Sequence, residues 1–178
     1  MDLTNNIETK RLKLRLINQN DFEFFLINIK DALVSENIEN IIYLKCLENP
    51  EKLFEEIIQL DAIFTLIISR KDIDVYIGIC GLNVLTESNE AICFYSLLPK
   101  YRGFGFAIEA MKKLIAYGFL KLNLDKITAY VEPKSSAIWK VAERVGMKYL
   151  GHIRISKSQS KVMYFSMERN EFEAQNLT

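Results

Sequence analysis

The segment LLPKYRGFGFAIEAMKKL begins at Leu97 and joins an apolar run to a helical pattern through two closely spaced glycines. Pro99 has no N–H to donate to a sheet, so a strand is expected to end there. Glycine permits a positive φ and lets another group approach the backbone, and the first N–H groups of a helix have no internal acceptor. The segment therefore predicts a strand, a tight turn over 102–107 and a helix whose N-terminus suits a phosphate or pyrophosphate. A plain tight turn without a ligand is the alternative.

The rest of the chain alternates strand-like and helix-like patterns. Three β-rich runs, AIFTLIISR, VYIGICGLNVL and AICFYSLL, are separated by short polar segments, which predicts an antiparallel meander. RLKLRLI, KITAYVE, KYLGHIRIS and KVMYFSME are further predicted strands, and the last two are expected to form a hairpin. DFEFFLINIKDAL, NPEKLFEEIIQL and SSAIWKVAERVG are predicted helices, whereas Ser35–Cys46 is either helix or loop. Together they predict one α/β domain over residues 1–178, built on a mixed sheet.

Charge is balanced over the whole chain but not along it. There are 23 Lys plus Arg and 23 Asp plus Glu, and this balance argues against direct nucleic-acid binding. Residues 1–99 carry a net charge of −7 and residues 100–178 a net charge of +7. Chance is one interpretation. The other is that the second half receives an anionic ligand and the first half faces a cationic one.

Cysteine and histidine usage gives no metal pattern. Cys46, Cys80 and Cys93 lie far apart, and the single histidine, His152, completes no zinc site with them at a usual spacing. We therefore expect reduced, mostly buried thiols and no metal cofactor. No signal peptide or membrane-spanning run is recognised, so a cytoplasmic protein is expected.

Only one phosphate-binding signature fits the turn. The P-loop pattern GxxxxGK[ST] is absent, and a GxGxxG fingerprint starting at Gly103 would need a small residue where Ile108 stands. The order Arg102-x-x-Gly105-x-Ala107 resembles the R/Q-x-x-G-x-G/A signature of the GCN5-related N-acetyltransferase (GNAT) family. The segments ETKRLKLRLINQNDF, AICFYSLLPKYRGFGFAIEAMKKLIAYGF and KITAYVEPKSSAIWKVAERVGMKYLG resemble this family in the same order, most closely its ribosomal-protein N-terminal acetyltransferase branch.

The resemblance implies a fold and a cosubstrate. It implies a mixed, mostly antiparallel sheet flanked by helices, in which the strand before the turn carries a bulge and splays from the next strand. Acetyl-CoA (coenzyme A after transfer) would then bind with its pantetheine arm in the split and its pyrophosphate on main-chain amides of the turn. A main-chain N–H near Leu97 would stabilise the oxyanion. The implied cofactor-binding residues are Leu97, Leu98, Arg102, Gly103, Phe104, Gly105, Phe106, Ala107 and Ser135.

The implied reaction is direct attack of a neutral primary amine on the thioester in a ternary complex. The amine would belong to a small molecule or to a protein N-terminus, and the transfer needs a base and an acid. Here the chain departs from its branch, because Ser135 and Ile138 replace the usual Asn and Ser, and Ala142 replaces the tyrosine that other members use. Glu132 is the candidate base, or a solvated strand-end acid. Ser135 is the second candidate catalytic residue, or only a helix N-cap.

Further aromatic residues and other function classes stay open. Tyr95 and Tyr130 lie on the two strands expected to splay and could reach the acceptor or only form walls, whereas His152 and Trp139 are assigned to a strand and to packing. The missing acids favour, as an alternative, a module that binds acyl-CoA without turnover. A protein-interaction domain with an inactive site is a third hypothesis. A monomer or a homodimer is expected.

Overall fold

The computed structural model describes residues 7–36, 49–60, 63–154 and 161–176, without the side chains of 31–36, 136 and 176. Eight strands are present in this part of the chain: β1 (Ile7–Glu8), β2 (Leu12–Leu16), β3 (Ile63–Arg70), β4 (Val75–Leu85), β5 (Glu90–Leu97), β6 (Lys126–Val131), β7 (Lys148–Arg154) and β8 (Lys161–Glu168). The helices are α1 (Phe22–Glu36), α2 (Pro50–Gln59), α3 (Phe106–Leu120), α4 (Ser136–Arg144) and α5 (Arg169–Asn176). Most of Ser35–Cys46, predicted as either helix or loop, lies outside the described residues.

The eight strands form one sheet in the order β1-β2-β3-β4-β5-β6-β8-β7. All neighbours are antiparallel except β5 and β6, which run parallel. The mixed, mostly antiparallel sheet is therefore confirmed, as are the meander β3–β4–β5 and the β7–β8 pairing. The parallel step arises because α3 carries the chain from the end of β5 back to the start of β6, as a crossover connection requires.

The two parallel strands pair over only part of their length. Their ladder has three residue pairs, from Glu90↔Lys126 to Ile92↔Thr128. Beyond these pairs β5 continues along β4 as far as Leu97, and β6 continues along β8 as far as Val131. Each strand follows a different neighbour, so a split opens between them beside the glycine turn.

The bulge predicted for β5 is wrong. The β4–β5 register is continuous from Glu90 to Leu97, and the sheet's register shift on this side lies instead between β3 and β4, at Ile68/Ser69. The split forms without a bulge because β6 keeps its full ladder with β8, from Lys126 to Val131. Because β6 stays paired with β8 along its full length, it can diverge from β5 without any irregularity in β5.

Helices cover both faces of the sheet through alternating side chains. Leu66 and Ile68 of β3 belong to the apolar cluster that contains α3, whereas Ile67 belongs to the cluster that contains α1 and α2. This is the period-two alternation of a strand that is buried on both faces. Helix α3 therefore lies on the sheet next to the split. Its N-terminus is held at the level where β5 ends.

Local signals set the start of α2 as they would in isolation. Asn49 is its N-cap, and its side chain accepts a hydrogen bond from the N–H of Lys52 at 2.9 Å. Pro50 is the first helical residue, where a missing N–H leaves no hydrogen bond unmade. Helix α3 begins differently, with a glycine that offers no side-chain cap. Its N-terminal amides are thus left to another acceptor.

Candidate functional site

The glycine turn between β5 and α3 has the backbone that the sequence predicted. Gly103 has φ +83° and Gly105, the N-cap of α3, has φ +78°, both in the left-handed region that favours glycine. A Cβ on Gly103 would meet no atom within 4 Å, and one on Gly105 would meet only a guanidinium nitrogen of Arg11 at 3.6 Å. The glycines are therefore required by the turn's conformation. The space in front of their backbone is open.

The N-terminus of α3 presents amides without intrahelical acceptors. The first helical hydrogen bond runs from the N–H of Glu109 to the carbonyl of Gly105, at 3.1 Å. The N–H groups of 106–108 precede that bond and have no carbonyl in their own helix. They carry the positive end of the helix dipole. A turn of this kind can bind an anion.

The row of open amides begins later than predicted. The N–H of Arg102 donates to the carbonyl of Pro99 at 3.1 Å, because Pro99–Tyr101 forms a 3₁₀ turn. The Arg102 amide is therefore already engaged, which corrects the prediction that it belongs to the anion cradle. Its side chain has a separate role. Nε of Arg102 donates to the carbonyl of Leu97 at 2.8 Å and ties the turn to the end of β5.

The main-chain N–H and carbonyl groups of Leu97 and Leu98, which were predicted to face the ligand together, point in opposite directions. The N–H of Leu98 donates to the carbonyl of Ile77 at 2.9 Å, and its carbonyl accepts from Tyr101 at 2.9 Å. Both main-chain groups of Leu98 are thus engaged, which corrects the prediction that its backbone faces a ligand. Antiparallel residue pairs alternate between bonded and non-bonded, so Leu97, paired with Gly78, points its N–H and carbonyl away from β4 and toward the split.

An open cleft lies between the turn, β5 and α4. Six of the predicted cofactor-binding residues line it: Leu97, Arg102, Gly103, Gly105, Phe106 and Ala107. Tyr95 of β5, expected either to reach the acceptor or to form a wall, also lines it. The sequence reasoning did not assign the remaining lining residues to the site: Ile108 from α3, and Ala137, Ile138, Lys140, Val141 and Arg144 from α4. Leu98, Phe104, Glu132 and Ser135 are not among the lining residues. The side chain of Phe104 is 63% exposed beside the turn.

Glu132 and Ser135 lie together in the connection between β6 and α4. The N–H of Ser135 donates to the carbonyl of Glu132 at 2.9 Å, and both side chains are half-buried. Ser135 is the N-cap residue of α4, but its side chain makes no capping hydrogen bond. The two candidates are therefore neighbours of the cleft. Their catalytic roles stay predictions.

A network of hydrogen bonds and one ion pair links the β1–β2 segment to the glycine turn and to the first turn of α3. The carboxylate of Glu109 accepts from Thr9 Oγ1 at 2.6 Å, from the N–H of Arg11 at 2.8 Å and from Arg11 Nε at 2.6 Å. Arg11 also donates to the carbonyl of Phe104 at 3.0 Å and lies over the ring of Phe106, 4.5 Å from its centroid. Burial alone would raise the pKa of Glu109, but the hydrogen bonds from Thr9 and Arg11 hold that pKa below its ordinary value of 4.5.

The other side chains considered from the sequence fall into two groups. Tyr95 lines the cleft, whereas Tyr130 stacks on Tyr164 at 5.6 Å, and burial raises its pKa above the ordinary value of 10.0. His152 is exposed, with Nδ1 lying 2.7 Å from the hydroxyl of Tyr149, so it is a surface residue of β7. Trp139 is half-buried against the α3 side of the core, as predicted.

The cysteine thiols that the structure describes are buried, and burial raises their pKa values. Cys80 and Cys93 are both buried and reduced, and burial raises the pKa of Cys93 to about 12. Cys46 lies outside the described residues. Within those residues, no group of three or more His, Cys, Asp or Glu side chains is arranged to hold a metal ion. In the same part of the chain, no helix is both long enough and apolar enough to traverse a bilayer.

The mixed sheet opens between two parallel strands, beside a glycine turn and the uncapped start of α3, as the resemblance to the GNAT family implied. The family model of the acetyltransferase (GNAT) domain matches residues 11–148, and the chain belongs to this family. The class that this family defines is that of the GNAT acetyltransferases. The resemblance inferred from the turn is therefore confirmed.

Named relatives agree with this class. The chain is 36% identical over 114 residues to the uncharacterised N-acetyltransferase p20 of Bacillus licheniformis, a match that spans 61% of this chain but only 63% of p20. It is 27% identical over 161 residues to the uncharacterised N-acetyltransferase YoaA of Bacillus subtilis, over 89% of this chain and 91% of YoaA.

Solved structures share the fold at lower identity. A variant of the spermidine N-acetyltransferase SpeG from Vibrio cholerae superposes with a TM-score of 0.78 and 18% identity, covering 94% of this chain and 99% of SpeG. A proposed ribosomal-protein-serine acetyltransferase from Vibrio cholerae gives a TM-score of 0.72 and 19% identity, with the same two coverages. These likenesses concern the fold.

Proposed function

We propose that this protein binds acetyl-CoA in the cleft beside the glycine turn and transfers its acetyl group to a primary amine. The observation that carries this proposal is the juxtaposition of open helix-N-terminal amides with the split between β5 and β6. The family uses acetyl-CoA as its cosubstrate, so the ligand chemistry expected at such a cleft is known. We also propose that the chain is a single domain, since one sheet contains all eight strands.

The residues present fit the cosubstrate. The amides of 106–108 and the open backbone at Gly103 and Gly105 suit a pyrophosphate, which needs donors at close range and no side chain in the way. The N–H of Leu97 faces the split, where it would donate to an oxyanion formed on a thioester carbonyl. Because its position is set by the β4–β5 ladder, this donor needs no reorganisation during the reaction.

The proposed transfer forms one bond and breaks one. The amine nitrogen attacks the thioester carbonyl carbon, a C–N bond forms, and the C–S bond breaks as the sulfur leaves with the electron pair. The amine must lose a proton and the sulfur must gain one. The candidates for these proton transfers are Tyr95, which lines the cleft, and the predicted pair Glu132 and Ser135, which lie beside the cleft. Positioning and oxyanion stabilisation would supply the rest.

The acceptor is proposed only as a primary amine. Spermidine and a peptide with an N-terminal serine are the two amines to assay first, because structural neighbours are described as acting on spermidine and on ribosomal-protein serine. The net charge of −7 in residues 1–99 favours a cationic acceptor. The relatives named as N-acetyltransferases favour an enzyme over a non-catalytic acyl-CoA-binding module.

The experiment pairs turnover with binding. Release of free CoA thiol is followed with the amine panel, and the dissociation constant of CoA is measured by calorimetry. We expect Gly105→Val to weaken CoA binding at least tenfold, about 1.4 kcal/mol, because a β-branched residue both resists the left-handed φ and occupies the space before the amides.

The matched control is Gly151→Val. Gly151 also has a positive φ, +110°, and a Cβ placed on it would meet no atom within 4 Å, but it lies on β7, away from the cleft. This variant should lose stability, as any non-glycine residue does at such a φ, while it keeps its CoA affinity. Equal affinity losses in the two variants, or a folded Gly105→Val protein with unchanged affinity, would refute the proposed cradle. Tight CoA binding without thiol release from any amine would favour the non-catalytic module.

A further inference from the structure

We propose that Lys140 and Arg144 form a subsite for the 3′-phosphate of coenzyme A, so that the protein discriminates CoA from dephospho-CoA. The inference rests on the proposed function, since it names a second contact of the same ligand. It concerns a phosphate monoester. The pyrophosphate is assigned to the glycine turn.

Both cations lie on the face of α4 that borders the cleft. Ala137, Lys140, Val141 and Arg144 all line it, and their spacings of three and four residues put them on one side of a helix. The turn and the N-terminus of α3 line the same cleft. A ligand that occupies the turn therefore has these two side chains beside it.

The charge of the cleft is one-sided. Three of its lining residues are cations, Arg102, Lys140 and Arg144, and no Asp or Glu is among the lining residues that the structure describes. Arg102 is tied by its Nε to the carbonyl of Leu97, so its guanidinium is held at the end of β5. The two cations of α4 stand on exposed positions and can move toward a ligand.

Neither of these two side chains is committed to an acid. Within the described residues, Lys140 and Arg144 make no ion pair, whereas Arg11 is paired with Glu109 and Lys126 with Glu90. The contact recorded for Lys140 is with the ring of Trp139, whose centroid lies 5.7 Å from Nζ. At an exposed site such a contact is weak, of the order of 0.5–1 kcal/mol. Binding an anion would displace no strong partner.

The chemistry of the pair matches a phosphate monoester. Arginine offers a planar fork of donors that fits two phosphate oxygens, and lysine adds a compact point charge. The pyrophosphate can be satisfied by main-chain amides at the helix N-terminus, which leaves the 3′-phosphate as the anionic group of CoA that needs other donors. Dephospho-CoA differs from CoA only in lacking that group. The two ligands therefore isolate the subsite.

The test measures the dissociation constants of CoA and dephospho-CoA by calorimetry, without turnover, for three proteins. These are the unsubstituted protein, the double variant Lys140→Ala/Arg144→Ala, and the control Lys112→Ala/Lys113→Ala. The control removes the same two charges from exposed positions on α3 that do not line the cleft. We expect the unsubstituted protein and the control to prefer CoA at least tenfold, and the double variant to lose most of that preference by weakening CoA alone.

Each outcome decides a separate question. An equal loss of affinity for both ligands in the double variant would assign its cations to the pyrophosphate and overturn the subsite. Equal affinity of the unsubstituted protein for CoA and dephospho-CoA would overturn it as well. Failure of the unsubstituted protein to bind CoA at all would instead refute the proposed function. A preference that falls with rising salt in the unsubstituted protein, but not in the double variant, would support direct charge recognition.

Discussion

The network behind the glycine turn predicts that Glu109 stabilises both the fold and the cosubstrate site. Its carboxylate accepts three hydrogen bonds, from Thr9 Oγ1, the N–H of Arg11 and Arg11 Nε, and its side chain is 18% exposed. Arg11 in turn holds the carbonyl of Phe104 inside the turn. Removal of the carboxylate in Glu109→Ala takes the acceptor from the Arg11 N–H and leaves the Thr9 hydroxyl only the longer contact to the carbonyl of Leu12, at 3.2 Å.

The magnitude follows from these contacts. A hydrogen bond contributes about 0.5–1.5 kcal/mol net, and one to a charged group about 1.5–3 kcal/mol. The side chain of Arg11 is 44% exposed and can be solvated in the variant, so its share must be discounted. We expect Glu109→Ala to lose about 2 kcal/mol of unfolding free energy, which is about 4–8 °C in melting temperature for a chain of this size. We also expect weaker CoA binding, because Phe104 is no longer held.

The pH dependence gives the second test. The pKa of Glu109 is lowered in the folded state, so its stabilising contribution is fully present above the unfolded value near 4.5 and is lost as the pH falls through the folded pKa. The stability difference between the unsubstituted protein and Glu109→Gln should therefore be constant above pH 4.5. It should shrink as the pH is lowered further. Urea unfolding across that pH range measures it.

The control is Glu8→Ala, which removes a carboxylate that pairs with Lys71 at 2.6 Å but is 58% exposed. Its melting temperature and CoA affinity should stay nearly unchanged, since exposed ion pairs contribute little. The reasoning is refuted if Glu109→Ala melts with the unsubstituted protein and binds CoA equally well. It is also refuted if the Glu109→Gln difference grows as the pH falls below 4.5.

Two further predictions concern other parts of the molecule. Asp21 is 3% exposed and accepts from both terminal nitrogens of Arg15, at 2.7 and 2.6 Å. The side chain of Arg15 is 21% exposed and also donates to the carbonyl of Leu16 and to the hydroxyl of Tyr76, so Asp21→Asn should cost about 1.5–3 kcal/mol in urea unfolding through the loss of a charged acceptor; a loss near zero would contradict this. If Tyr95 supplies the proton to the leaving sulfur, Tyr95→Phe should lower kcat about tenfold or more without changing CoA affinity. If the predicted pair acts instead, Glu132→Gln or Ser135→Ala should lower kcat in the same way. An unchanged kcat in Tyr95→Phe would exclude that role.

Local signals predicted the turn and the elements around it well. Pro99 ends the β5 ladder, and the two glycines of the turn adopt the positive φ values that favour glycine over other residues. Asn49 caps α2 as its residue type predicts. Each of these outcomes depends on the chemistry of one residue and its nearest neighbours in the chain. Such preferences act before any tertiary contact forms.

Residues distant in sequence decided what local patterns could not. Arg11 and Glu109 are 98 positions apart, and no local pattern pairs them. The split between β5 and β6 was expected to come with a bulge in β5. It follows instead from the pairing of β6 with β8, a strand that lies about 30 residues further along the sequence. The main-chain N–H and carbonyl of Leu98 cannot serve the site, because they are hydrogen-bonded to β4 and to the 3₁₀ turn.

The residue types alone determined the strand-forming runs along the chain, the glycine turn and the uncapped start of α3, because backbone preferences and periodicity are local. Which donors the cleft offers was decided only by packing. Leu97 faces the split, Lys140 and Arg144 line the cleft, and Glu132 and Ser135 lie beside it, because these directions depend on sheet register and on how α4 lies against β6. A single sequence specifies which groups exist, and the tertiary contacts specify where they point.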